Sequence, residues 1–137
     1  MRLNRLLFLL LTLICIQLHA QTPAQLAQQQ LDAYNARDIE AFLAPYSDTV
    51  KIFNHPNTLI ASGKEKMRGM YEDFFKNTPE LHCTLLNRIT LGNVVIDQEY
   101  VVFSSKRPPA EVIAHYKISN KKIVEVYFIR PEIKDNK

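Results

Sequence analysis

Three places in this chain hold residues able to do chemistry. His55 stands directly before Pro56 in "KIFNHPNTLI", at the end of a predicted strand. An imidazole with an ordinary pKa of about 6.5 could move protons near neutral pH, where an acid–base catalyst works best. It could equally turn a corner and bond nearby backbone, because the residue before a proline is driven to extended geometry. The second place is "VVIDQEYVV", where Asp97, Gln98 and Glu99 alternate between the two faces of a strand. The third is Cys83 in "LHCTLLNRI".

The strand faces decide what the second place can do. Val94, Ile96, Gln98, Tyr100 and Val102 form one row, and Val95, Asp97, Glu99, Val101 and Phe103 the other. The first row is the more apolar and is expected to face the core. Gln98 is then a polar group on an apolar row and must find a hydrogen bond, to a ligand carbonyl or to a buried neighbour. Asp97 and Glu99 are then expected on the solvated face. With the faces exchanged they would become an acid–base pair. Cys83 shares a predicted face with Leu81, Leu85 and Ile89 and reads as a small buried apolar residue, with no base beside it to make a nucleophile.

Other chemistries find no pattern. His55, His82 and His115 are isolated, without the spacing of metal ligands, so neither metal nor cofactor is expected. The chain has 3 glycines, too few for a glycine-rich phosphate loop, and no GxSxG elbow. Lys and Arg number 17 against 14 acids, and the first 20 residues hold two of the arginines and no acid. The remainder is nearly neutral and shows no basic stripe, so no nucleic-acid partner is expected.

Residues 1–20 read as a signal peptide. Arg2 and Arg5 precede an apolar run from Leu6 to Ile16, and Ala20 offers a small residue for cleavage. The run is shorter than the roughly 20 residues that cross a bilayer. The chain is therefore expected to be exported, periplasmic or secreted, and off the membrane after cleavage; an uncleaved anchor is the alternative. Cys15 leaves with the leader, so Cys83 has no partner within the chain.

Residues 21–137 fit one domain. Thr22, Pro23 and Gln25 open a helix with a capping box, and Asp38 caps a short second helix that Pro45 should end. "TVKIF" and "TLIA" read as strands around the "NHPN" corner. "SGKEKMRGMYEDFFKNTP" is a third helix, with Ser62 and Glu65 as a capping box. The period then switches to two, and four strands follow as an antiparallel meander, with turns at Gly92-Asn93 and "SNK". "PEIKDNK" reads as a loose tail. The class is α+β: three N-terminal helices packed in a curved, mainly antiparallel sheet, whose twist leaves a hollow at one end for a small ligand.

Several of these stretches together resemble the nuclear transport factor 2-like superfamily, on its SnoaL-like side. They are "YNARDIEAFLAPYSD", "SGKEKMRGMYEDFF", "NRITLGNVVIDQE" and "IAHYKISNKKIVEVYFIR". The resemblance covers about residues 24–130 and implies a cone-shaped, cystatin-like roll, the ketosteroid isomerase-like fold, for the 21–137 domain. Its relatives include isomerases, dehydratases, cyclases and non-catalytic binding domains, so the fold alone does not choose among them. The isomerase branch carries an oxyanion-donating tyrosine where this chain has Gln30, and an aspartate base before a proline where it has His55. Its second donor, a protonated aspartate, has Asp97 and Glu99 in the right region.

The resulting expectation is a small exported domain that binds an apolar organic molecule. Tyr34, Phe42, Phe53, Tyr71, Phe75, Tyr116 and Phe128 would form the walls, and His55 and Gln98 the polar contacts. Met67, Met70 and Phe74 read as plain core. One alternative is an isomerase-, dehydratase- or cyclase-type enzyme with His55 as general base and Gln98 or a tyrosine hydroxyl steadying an enolate-like oxygen. Another is a non-catalytic interaction domain. Ile113, Tyr127, Ile129, Val101 and Phe103 are expected to form an outer apolar patch, and relatives often form homodimers through this sheet face.

Overall fold

The computed structural model describes residues 20–131. The expected signal peptide and tail therefore lie outside the described residues, apart from Ala20 and Pro131. Helix α1 (Pro23–Ala36) and helix α2 (Ile39–Leu43) lead into strands β1 (Tyr46–Asn54) and β2 (Thr58–Ser62). Helix α3 (Lys64–Asn77) is followed by β3 (His82–Leu91), β4 (Val94–Val102), β5 (Ala110–Ser119) and β6 (Lys122–Ile129). The strands make one open sheet in the order β2-β1-β6-β5-β4-β3. Only the β1–β6 pairing is parallel. The expected α+β class and the meander from β3 to β6 are both present.

Local chemistry explains the helix starts. The Thr22 hydroxyl accepts from the Gln25 N–H while the Gln25 side chain accepts from the Thr22 N–H, a reciprocal capping box. Asp38 caps α2 by accepting from the Ala41 N–H at 3.0 Å. The box expected at Ser62 and Glu65 does not form. Gly63 is the N-cap of α3, at φ +89°, without a side-chain bond; that backbone angle favours glycine, and it places Ser62 back in β2.

The α1–α2 junction fastens the helices to the sheet. The Asn35 side chain donates to the Cys83 carbonyl at 2.9 Å and accepts from the Cys83 N–H at 2.7 Å, so an amide from α1 pairs with β3 as a strand would. Arg37 turns the chain at φ +55° and donates to the Leu81 carbonyl. Leu26 and Leu31 from α1, Phe42 and Leu43 from α2, and Met67 and Phe75 from α3 pack against Ile52, Val95, Ala114 and Val126 of the sheet.

Two irregularities set which side chains point inward. The β3–β4 register shifts between Leu85 and Asn87, a bulge that moves the later part of β3 onto the opposite face. Ile89, expected beside Cys83, is therefore more than half exposed, and Arg88 turns in. A second shift, where Ile118 pairs with Ile123, buries Ile123 and leaves Val124 half-buried.

Candidate functional site

The helices and the concave face of the sheet enclose a hollow of about 300 Å³, at the small end of ligand pockets, which run roughly from 300 to 1,000 Å³. Tyr34 and Leu31 of α1, Phe42 of α2, Met70, Tyr71 and Phe74 of α3, and Val101, Phe103, Val112 and Phe128 from the sheet give apolar walls. Gln30, Cys83, Glu99 and Tyr116 lie in the same lining, and Arg130 is at the rim.

The β4 strand faces opposite to the expectation. Val95, Asp97, Glu99 and Val101 are buried, and Gln98 lies on the outer face, donating to Glu111. The cause is the pairing with β5. Glu99 lies across from Val112, Asp97 from Ala114, and Val95 from Tyr116, and residues directly opposite share a face. The row of β5 through Val112, Ala114 and Tyr116 does face inward as expected, and it carries the two acids with it. The more apolar row of β4 covers the outside instead.

Asp97 is fully buried and Glu99 is 6% exposed. Asp97 takes a bidentate pair from Arg88, with both N–O distances 2.7 Å. The same guanidinium donates to the Gln28 side chain and the Ala24 carbonyl of α1, so the pair also ties helix to sheet. Among the described residues Glu99 has no such cation. A chain of neutral groups ends on it: the Tyr46 hydroxyl donates to Gln30 Oε1 at 3.2 Å, Gln30 Nε2 donates to the Tyr116 hydroxyl at 2.9 Å, and that hydroxyl donates to Glu99 Oε1 at 3.3 Å. Burial first, and the charge of Asp97 second, push the Glu99 carboxyl up to about 7; the Tyr116 hydroxyl and the Cys83 thiol hold it from rising further. Burial raises the Tyr34, Tyr46 and Tyr116 phenols as well, and pushes Tyr71 up to about 12. These tyrosines are neutral donors at any ordinary pH. Burial also raises the Cys83 thiol, which keeps it a protonated wall residue rather than a nucleophile.

The structure distributes the expected site residues unevenly. Tyr34, Phe42, Tyr71, Tyr116 and Phe128 line the hollow. Phe75 stands one layer behind, its ring centroid 5.5 Å from Tyr34 and 5.3 Å from Phe42. Phe53 is on the outer face, stacked on Tyr127 at 4.7 Å. His55 is exposed in the turn after β1, where its backbone N–H donates to the Phe128 carbonyl at 2.8 Å. Its imidazole lies outside the lining. Met70 and Phe74, read as core, are walls. Val101 and Phe103, read as outer patch, face inward for the same reason as Glu99.

Glu99 and Gln30 carry the site's polarity: Gln30 stands where the resemblance sets an oxyanion donor, and Glu99 points inward because the faces of β4 are exchanged, the alternative under which the sequence makes it part of an acid–base pair. A signal existed for the pair beside them. A two-residue turn at Gly92-Asn93 sets Leu91 against Val94 and hence Arg88 against Asp97, opposite charges directly across a ladder.

The outer face carries its own pattern. Leu59, Phe53, Tyr127, His115, Ile96 and Ile89 are successive cross-strand partners from β2 to β3. His115 stacks on Tyr127 at 5.4 Å, and its buried Nε2 has no partner among the described residues. Among those residues no group of three or more His, Cys, Asp or Glu gathers as metal ligands would, and no helix is long and apolar enough to cross a membrane.

A family model described as SnoaL-like domain matches residues 27–126. Among solved structures, the chain is similar to an uncharacterized cystatin fold protein from Novosphingobium aromaticivorans, with TM-score 0.74 and 25% identity over 80% of this chain and 99% of that one. It is also similar to an NTF2-like protein of unknown function from Cytophaga hutchinsonii, with TM-score 0.70 and 14% identity over 83% and 95%. A SnoaL-like protein of unknown function from Burkholderia thailandensis has TM-score 0.69 and 16% identity over 80% and 94%. No curated protein matches the chain in sequence.

Proposed function

The chain belongs to the SnoaL-like domain family, and within it we propose that this member takes a small, mainly apolar organic molecule into the hollow and exchanges a proton with it through Glu99. The observation that carries the reading is a buried carboxyl, with no cation paired to it among the described residues, raised to about 7 and facing a mainly apolar cavity. Clefts where burial perturbs an acid in this way are where acid–base chemistry is found.

The chemistry follows from the parts. In its ionised form the Glu99 carboxylate takes a proton from a carbon next to a carbonyl, and the electron pair of that C–H bond moves onto the carbonyl oxygen. Tyr34 and Tyr71, neutral donors on the same walls, supply hydrogen bonds to that oxygen as its charge develops. Glu99 then returns the proton to another carbon, which isomerises the substrate, or to a departing hydroxyl, which dehydrates it. Gln30 and Tyr46 keep the Tyr116 hydroxyl aimed at Glu99, so the carboxyl is oriented before substrate arrives. His55 has no part in this sequence.

Native mass spectrometry of protein from its own host, followed by turnover assays on whatever molecule is retained, tests the reading. Glu99→Gln should keep the molecule and lose turnover by about 100-fold or more, the usual range for an acid–base group. Full turnover in Glu99→Gln would take the proton transfer away from Glu99, and no turnover by the parent chain would leave only a binding domain.

The outer row supports a second copy of the chain on that face. Six strands spaced about 4.8 Å apart give a footprint of roughly 700 Å², near the roughly 800 Å² that each partner contributes to a stable interface. Sedimentation should find a dimer that Ile96→Lys converts to monomer; a monomeric parent chain would refute the assignment.

A further inference from the structure

Two arginines ride on aromatic walls of the hollow at its open end. The Arg130 guanidinium carbon lies 5.6 Å above the Phe128 ring, and that of Arg107 lies 5.0 Å above the Phe103 ring. Both rings line the cavity, and Arg130 lines it too. The strand register places them together. Val101 pairs with Ala110, and Ile113 pairs with Ile129, so the end of β4, the start of β5 and the end of β6 form one rim. Both arginines are exposed, and among the described residues neither is in an ion pair. Glu80, which reaches the same loop as Arg107, is occupied by the backbone N–H and hydroxyl of Ser105. Arg130 is oriented by one bond, from Nη1 to Asn54 Oδ1 at 3.0 Å, which leaves most of its five donors free.

The depth of the hollow has the opposite character. Glu99 lies there, and Arg88, the one deep cation among the described residues, is already spent on Asp97 behind it. The cavity therefore has an electrostatic axis, positive at the rim and able to become negative at the floor. Resting on the reading of the hollow as a ligand site, we propose that its ligand is an organic acid, whose carboxylate is held at the rim by Arg130 and Arg107 while its apolar body lies on the aromatic walls. A guanidinium fork matches a carboxylate through two parallel hydrogen bonds. A carboxylate at the floor would meet Glu99 instead, so the molecule enters with its acid group outward and presents an uncharged oxygen to Glu99.

The chain contains no tryptophan, so the fluorescence of a naphthalene probe is read without interference. Titrations would compare benzoate and 2-naphthoate with benzamide and 2-naphthamide, each against the parent chain, Arg130→Gln, Arg107→Gln and the double variant. The better-fitting acid should bind about 10-fold or more tightly than its amide. Each single variant should reduce that preference and the double variant should abolish it. Added salt should weaken the acid and spare the amide. Equal binding of acid and amide, or a preference that survives the double variant, overturns the carboxylate assignment and leaves the hollow as a neutral-ligand site. Binding of no acid and no amide by a folded chain removes the ligand site itself, and this inference with it. Both arginines are exposed, so circular dichroism should show the variants folded as the parent is.

Discussion

Asp97 and Glu99 lie two residues apart on one face of β4, both buried, and their surroundings part them. Asp97 has a bidentate arginine that also grips α1; Glu99 has a tyrosine hydroxyl at 3.3 Å, a neighbouring thiol and open cavity. A buried charge with a partner acts as a clamp, and its cost is met by the pair. A buried acid without a cation stays near neutrality and is free to gain or lose a proton. The same strand thus builds scaffold at Asp97, behind the lining of the hollow, and chemistry at Glu99, on its floor.

The comparison can be broken from either side. The largest effect is expected from Arg88→Leu, which strands the Asp97 charge in the core. Urea denaturation should show a loss of about 3–5 kcal/mol, and the double variant Arg88→Leu with Asp97→Leu should recover most of it. An Arg88→Leu chain as stable as the parent would mean that the pair is no clamp.

Next is the pH dependence of stability. The unfolded glutamate ionises near 4.5 and the folded one near 7. Between those values the folded state keeps a proton that the unfolded chain has released, so stability falls as pH rises through this interval and levels off above it. The part due to Glu99 is on the order of 3 kcal/mol. Stability measured from pH 4 to pH 8 should show this loss in the parent and not in Glu99→Gln. Parallel curves for the two chains would place the Glu99 proton elsewhere.

The smallest effect is expected at His55→Ala. The side chain is exposed and the backbone bond to Phe128 survives the change, so stability should move by less than about 0.5 kcal/mol. Ligand affinity should not move either. A large loss of turnover in this variant would return the proton transfer to His55 and reduce Glu99 to a spectator.

Much of the scaffold was legible. The Thr22 and Asp38 caps, the aromatic spacing of α3 and the switch to period two carry local signals, and each produced the element it implies. Four of the aromatic wall residues, Tyr34, Phe42, Tyr71 and Tyr116, could be read because β5 and the helices show their inward faces plainly, and Phe128 followed from the alternation of β6. The faces of β4 were not legible. Its two rows differ little in hydrophobicity, and the pairing with β5 decided which of them points to the core. The bulge after Leu85 leaves no mark in "TLLNRI", yet it turns Arg88 inward to meet Asp97.

Composition and spacing by themselves determined three helices, six strands, their order and an aromatic-lined interior, because helix caps, turns and periodicity are properties of residues close in the chain. Which carboxylate would be neutralised, which would be left to titrate, and which histidine would be stranded in solvent were decided only by the tertiary structure. Those outcomes rest on which face of β4 its pairing with β5 turns inward, and on burial, which exists only once distant segments have closed over the same space.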